Sequence, residues 1–314
     1  VARRKRIATL TLNPSLDLTL RVPRLIHDDS NRVTSTRKDP GGKGINVSRV
    51  LHELGVQVTT LTVLGGNAGR EFRRLTRRQG LSLHTVRTQG ETRENIMITE
   101  TEHPVQTRLH QPGAAIRPRE LARILDLIEE HARQADYFVL GGSLPPGVPQ
   151  DIYQKLILRL RERKVQCVLD ADGEPFKLGV AAQPFLIKPN LFELGRLVGK
   201  KLTQRREAKA AVRQLLGQGI QIVILSLGSE GALAATSRQM VQARPPLKAT
   251  GSTVGAGDSL VAGFLMRWAQ GAPLRACLRA GVAAGTATAL TPGTELLRAE
   301  DYESIYRKVK VIKA

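Results

Sequence analysis

Aromatic residues make up only 4% of this 314-residue chain, with a single tryptophan, so its core must be assembled from Leu, Val, Ile and Ala. Cysteine is nearly absent. Cys167 and Cys277 lie far apart and match no metal-ligand spacing, which fits free thiols in a reducing cytoplasm. No apolar run approaches the roughly 20 residues that a bilayer-spanning helix needs. The basic start Val1–Arg6 is followed by an apolar stretch that ends by Asn13-Pro14, too short and too polar for a signal-peptide core. That start reads as a solvated tail leading into the first strand.

Negative charge is also in short supply. Against 48 Lys and Arg stand 28 Asp and Glu, a net charge of +20. Such a charge attracts nucleic acid, and equally sugar phosphates and nucleotides. Basic residues such as Arg70, Arg73, Arg74, Arg77 and Arg78 are spread over a helix face without interleaved aromatics, so the plain reading is solvation. Charge alone does not decide function.

What the chain does contain is alternation. Apolar runs at Ile7–Leu12, Val58–Leu64, Tyr137–Leu140, Cys167–Asp170, Phe185–Ile187 and Ile222–Leu227 are each followed by a turn signal and a helical pattern, among them Gly44–Leu54 and Gly69–Gln79. This predicts a parallel sheet with helices on both faces, in one large domain. Two stretches break the rhythm. Asp17–Val22 and Asn31–Arg37 alternate like strands with no helix between them. Glu94–Glu100 and Val105–His110 read as a hairpin, with His103-Pro104 in its turn. Together they predict a small second sheet, inserted at about 16–38 and 93–112, placed to act as a lid or a dimer surface.

Four polar clusters lie after predicted strands, where α/β sheets bind ligands. Thr253–Ser259 is a glycine-rich turn feeding the apolar helix Leu260–Trp268. Backbone N–H groups and the helix dipole favour an anion there, and Asp258 could take a proton from a hydroxyl. An N-cap Asp after a glycine turn explains the same residues. Pro40–Asn46 is a second glycine cluster, with Lys43 and Asn46 as polar contacts or as a tight loop entry. It has neither Walker A spacing nor the full dinucleotide fingerprint. In Lys188–Glu193, Asn190 and Glu193 suit either hydrated Mg²⁺ or a capping pair. Ser226–Gly231 suits nucleotide contact or a plain hairpin turn.

With Thr11–Asp17 and Gly142–Gly147, these clusters stand in the order found in the ribokinase-like PfkB carbohydrate kinases, which the chain resembles from about Ile7 to about Tyr306. Gln111–Ala115, Leu169–Glu174 and Leu290–Thr294 look most like the bacterial ATP-dependent 6-phosphofructokinase branch. The resemblance implies a three-layer α/β/α sandwich with a small β-sheet lid, often a homodimer interface. It implies phosphorylation of fructose 6-phosphate at C1 by ATP, with Mg²⁺ as cofactor and a monovalent-cation site of the kind usually filled by K⁺. Asp258 would be the base, and the amides of Gly255, Ala256 and Gly257 the anion hole. Asp17, Arg32, Gly42, Lys43, Asn46, Arg93 and Ser143 would hold the sugar phosphate. Lys188, Asn190, Ser226, Gly228, Gly231, Thr253 and Thr286 would hold the nucleotide. Glu193, Asn190 and Asp170 would hold Mg²⁺ through water, and Ser252, Val254, Thr288, Thr291 and Gly293 a monovalent cation. No specific nucleic acid or membrane partner is expected.

Two departures bear on substrate. Lys43 is more typical of 1-phosphofructokinases and tagatose-6-phosphate kinases. Asp172 adds a carboxylate near the expected metal. The remaining alternative is a non-catalytic polyanion-binding protein on the same fold.

Overall fold

The computed structural model describes residues 5–103, 105–247 and 252–314. Val1–Arg4 of the basic start and Pro104 of the expected turn lie outside them.

A ten-stranded sheet forms the middle layer. Seven strands run parallel: β1 (Ile7–Thr11), β4 (Val58–Leu64), β5 (Leu83–Arg87), β8 (Tyr137–Gly141), β9 (Gln166–Asp170), β10 (Leu186–Ile187) and β11 (Ile222–Ser226). Three antiparallel strands, β12 (Ala232–Ala235), β13 (Met240–Arg244) and β14 (Lys310–Lys313), extend one edge. The strand Ile222–Ser226 is therefore followed by a hairpin, not by the expected helix.

Strand parity divides the core into two. Ala8, Leu10, Phe138, Leu140 and Leu169 face one side, under α3 (Pro118–Ala132), α4 (Ile152–Glu162), α5 (Gly173–Ala181), α6 (Leu191–Leu197) and α7 (Arg205–Gly217). Ile7, Val139, Val168 and Ile224 face the other, against α1 (Lys43–Glu53), α8 (Ala256–Ala269), α9 (Leu274–Ala289) and α10 (Ala299–Lys308). Because both faces are covered, the parallel strands read as unbroken apolar runs. A smaller cluster of Ile45, Leu64 and Phe72 seats α2 (Gly66–Arg78).

A separate sheet has the order β3-β2-β6-β7, from β2 (Ser15–Val22), β3 (Ser35–Gly41), β6 (Arg93–Glu100) and β7 (Gln106–Leu109). β3 starts later than the alternation from Asn31 suggested. Asn31 instead clips a loop, accepting from the Ile26 N–H at 2.8 Å and donating to the Ile26 carbonyl at 2.7 Å. The Pro40–Asn46 cluster consequently begins in the last two residues of β3, a strand of the small sheet and not of the large one, and runs into α1.

Candidate active site

The first turn of α8 begins at Gly255, whose φ of 75° is left-handed and suits glycine. Asp258 is not the N-cap. It is the third residue of the helix, and its buried carboxylate accepts from another helix, not from the N–H groups of its own. The first helical bond closes from the Ser259 N–H to the Gly255 carbonyl at 2.8 Å. The Ala256 N–H is partly spent on the Thr253 carbonyl at 3.3 Å. Those of Gly255 and Gly257 meet no acceptor among the described residues.

Asn46, from α1, donates to Asp258 Oδ2 at 2.7 Å. Lys43, one helical turn earlier, lies 3.9 Å from Asp258 Oδ1 and donates to Asp170 Oδ1 at 3.1 Å. Lys188, only 5% exposed, approaches Asp170 Oδ2 at 3.4 Å and stands over the backbone of Gly257. Strand ends of β9 and β10 and the starts of α1 and α8 thus bring two carboxylates and two ammonium groups together. Burial pushes the Asp258 carboxyl up, aided by Asp170 and opposed by Lys43. Burial also opposes ionisation of Asp170, but Lys188 and Lys43 outweigh it and hold its carboxyl low. Lys43 is held protonated by the same two carboxylates, against the effect of burial. The result is a buried carboxyl whose proton affinity is raised, beside a helix start that favours an anion.

A second polar group lies where β2 meets β6. Asp17 accepts from Ser15 at 2.6 Å and from Asn95 at 3.0 Å, and burial raises its carboxyl. A Cβ at Gly41 would sit 2.0 Å from Asp17 Oδ2, so any side chain there would push the Asp17 carboxylate aside. Gly42, at φ 118°, is the N-cap of α1. Arg93 donates to the carbonyls of Asn13 and Gln111, each at 2.9 Å, while its buried Nε has no partner among the described residues. Asn13 in turn donates to Ser143 Oγ at 3.1 Å. Arg32 stands apart, exposed in the loop between β2 and β3.

Asn190 and Glu193 form a reciprocal capping box, each side chain accepting from the other's N–H at 2.9 Å. Only Glu193 Oε2 is used in this cap, so Oε1 remains for a ligand. Among the described residues no three His, Cys, Asp or Glu side chains could together hold a metal. Asp170 is taken up by two lysines, and Asp172 caps α5 and pairs with the exposed Arg196. The donor set fits a hydrated divalent cation carried in by phosphates, not a protein cage.

In the nucleotide set, Ser226 bridges to Asn190 and bonds the Pro189 carbonyl through its N–H at 3.0 Å. Gly228 faces open space, whereas a side chain at Gly231 would strike the Ala243 carbonyl at 2.1 Å. Thr253 is exposed and accepts from Arg108 of β7 at 3.5 Å. The Thr286 hydroxyl is spent within α9, on the Val282 carbonyl at 2.7 Å. In the expected cation loop, Ser252 accepts from the Val254 N–H at 3.3 Å, and the Thr291 hydroxyl donates to the carbonyls of Thr288 and Glu295, each at 2.7 Å. Gly293 packs on Thr19 of β2.

One cluster had no sequence signal. Asp39 on β3 is buried between Arg37, at 2.7 Å, and Arg49, at 3.4 Å, and accepts from Thr294 at 2.9 Å. Arg37 also reaches Glu295 at 2.5 Å. These contacts tie the small sheet to the loop after α9.

Comparison with known proteins bears on this arrangement. Residues 11–300 match the model of the pfkB family carbohydrate kinases. The chain is 35% identical over 303 residues to ATP-dependent 6-phosphofructokinase isozyme 2 of Escherichia coli, covering 96% of this chain and 98% of that one. It is 39% identical over 261 residues to 1-phosphofructokinase of Xanthomonas campestris, covering 82% of each. The E. coli phosphofructokinase-2 crystal structure in complex with potassium superposes with a TM-score of 0.92 at 35% identity, over 96% of this chain and 98% of that one. The chain belongs to the PfkB family of carbohydrate kinases and is a phosphofructokinase-type sugar kinase, a phosphotransferase that acts on an alcohol group.

Proposed function

We propose that the enzyme phosphorylates fructose 6-phosphate at its C1 hydroxyl with ATP, giving fructose 1,6-bisphosphate. The observation that carries this reading is the buried Asp258 carboxylate, held by Asn46 at the mouth of a helix where the N–H groups of Gly255 and Gly257 have no acceptor among the described residues. The C1 oxygen bonds to the γ-phosphorus as its proton passes to Asp258, and the bond to the bridging oxygen of ADP breaks. The N–H groups of Gly255 and Gly257 receive the transferring phosphoryl oxygens, with less help from that of Ala256. Lys188 and Lys43 supply compensating positive charge. Mg²⁺ bound to the nucleotide phosphates would meet Glu193 and Asn190 through water and neutralise phosphate charge there. Asp170 serves chiefly to hold the two lysines.

Arg93, with an unpaired N–H and its guanidinium braced on two carbonyls, takes the phosphate already on the sugar, and Asp17 takes a sugar hydroxyl. Gly42 and Ser143 line the same sugar site. A K⁺ ion beside Ser252–Val254 and Thr288–Gly293 belongs to the same reading, as does a homodimer through the small sheet. The potassium-bound E. coli relative supports the first. The exposed apolar residues Ile26, Val33, Val105 and Leu109, on or beside that sheet, support the second.

The second reading, 1-phosphofructokinase or tagatose-6-phosphate kinase activity, is favoured by Lys43 and by the 1-phosphofructokinase relative. Against it, the Lys43 ammonium is engaged by Asp170 and Asp258, so its charge acts on the reaction centre. Coupled assays on fructose 6-phosphate, fructose 1-phosphate and tagatose 6-phosphate separate the readings. The highest kcat/KM is expected on fructose 6-phosphate, and a higher value on either other sugar overturns the choice.

A further inference from the structure

A cavity of about 1120 Å³ opens beyond the ends of β4 and β5, lined by Arg87, Gln89, Arg117, Arg119, Glu120 and Arg123 among others. None of these residues belongs to the Asp258 centre or to the Asp17–Arg93 group. A smaller hollow continues it past Gly66 and Arg87 to Arg70 and Arg73. We propose that this groove is a second anion site, which takes an oligophosphate chain.

Its charge is unbalanced. Arg87, Arg117, Arg119 and Arg123 form no ion pair with any carboxylate among the described residues. Elsewhere Arg74, Arg159, Arg163 and Arg205 are each paired, while others such as Arg77, Arg78 and Arg133 are not, so among the described residues the groove is set apart by four unpaired arginines converging on one hollow. The one acid in the lining, Glu120, is buried and already committed. It accepts from the N–H groups of Gln89, at 2.7 Å, and Arg117, at 2.8 Å.

The arginines also stand where they cost stability. Arg117 is the N-cap of α3 and Arg119 lies in its first turn, at the positive end of the helix dipole. Arg119 and Arg123 are four apart, so like charges share one helix face. An anion in the groove relieves both penalties. Guanidinium forks from a strand end and a helix start suit several phosphate groups in a row. No aromatic side chain lines the cavity to stack on a base, so recognition is of the phosphate chain. A nucleoside triphosphate and an inorganic polyphosphate share that chemistry.

The test is calorimetric titration at about 0.15 M salt, run with sugar phosphate and one molar equivalent of a non-hydrolysable ATP analogue, and repeated without the analogue so that occupancy of the groove by the analogue itself is read as competition. The titrants are inorganic tripolyphosphate and, in a second arm, ATP. Compared are the wild type, Arg119→Ser/Arg123→Ser, and a control, Lys155→Ser/Arg159→Ser, on the exposed side of α4. All four side chains are exposed, and circular dichroism checks that each variant is folded. Tripolyphosphate should bind the wild type and the control alike and bind the groove variant at least tenfold more weakly. Equal ATP binding assigns the site to either source, and weaker ATP binding assigns it to the inorganic chain. No tripolyphosphate binding to the wild type at millimolar concentration, or equal loss in both variants, overturns the proposal.

Discussion

The carboxamide of Asn46 donates a 2.7 Å hydrogen bond to Oδ2 of Asp258, across 212 positions of sequence. That bond favours the ionised carboxylate, whereas burial favours the protonated one. As a base Asp258 must be ionised, so kcat/KM should fall with pH along an acid limb lying above the ordinary aspartate value of 3.8. In Asn46→Ala the limb should move to higher pH, because one stabiliser of the charged form is gone. In Asp258→Asn kcat should drop on the order of 10²–10⁴-fold, while ATP still binds. Initial-rate pH profiles check both, and a near-normal kcat in Asp258→Asn removes the proposed base.

In the proposed reading Arg93 binds the sugar phosphate and takes no part in the chemistry. A charge-assisted hydrogen bond is worth about 1.5–3 kcal/mol, so Arg93→Ala should raise KM for the sugar phosphate roughly 10- to 100-fold. The fall in kcat should be smaller. Arg93 also braces the carbonyls of Asn13 and Gln111, so melting temperatures have to be compared alongside. An unchanged KM in a folded variant would exclude Arg93 from the phosphate site.

Local signals in the sequence placed most of this architecture. The buried parallel strands are continuous apolar runs, and the capping box of Asn190 and Glu193 is written in four adjacent residues. The sequence says least where distant residues decide. Asn31 alternates with its neighbours as a strand residue does, but its carboxamide closes a loop on Ile26. Thr286 stands among the expected nucleotide contacts, and in the folded chain its hydroxyl donates to Val282 within α9. Asp170 was read beside a metal, and the folded chain brings Lys43 and Lys188 to it from either side. No spacing rule carries such pairings, because they arise only when strand ends and helix starts converge.

Asp39 is the clearest case, and it makes a prediction about stability. Its side chain is 2% exposed and faces Arg49, 9% exposed, with Arg37 nearer but half in solvent. Burial opposes its ionisation, yet Arg37, Arg49 and Thr294 outweigh this and hold the carboxyl below its ordinary 3.8. Arg37 is half in solvent and its pairing is screened, so losing the charge beside the buried Arg49 is the main cost of Asp39→Asn. We expect a loss of about 3 kcal/mol, or on the order of 6 °C in melting temperature for a chain of this size. The sign of the pH dependence follows from the lowered value. The stabilisation is fully present above 3.8 and is lost as pH falls through the folded-state value. The gap between wild type and variant should therefore be largest near neutrality and close in acid. Thermal melts across that range decide the matter. A constant gap would mean that Asp39 acts through packing against Thr294 and not through its charge.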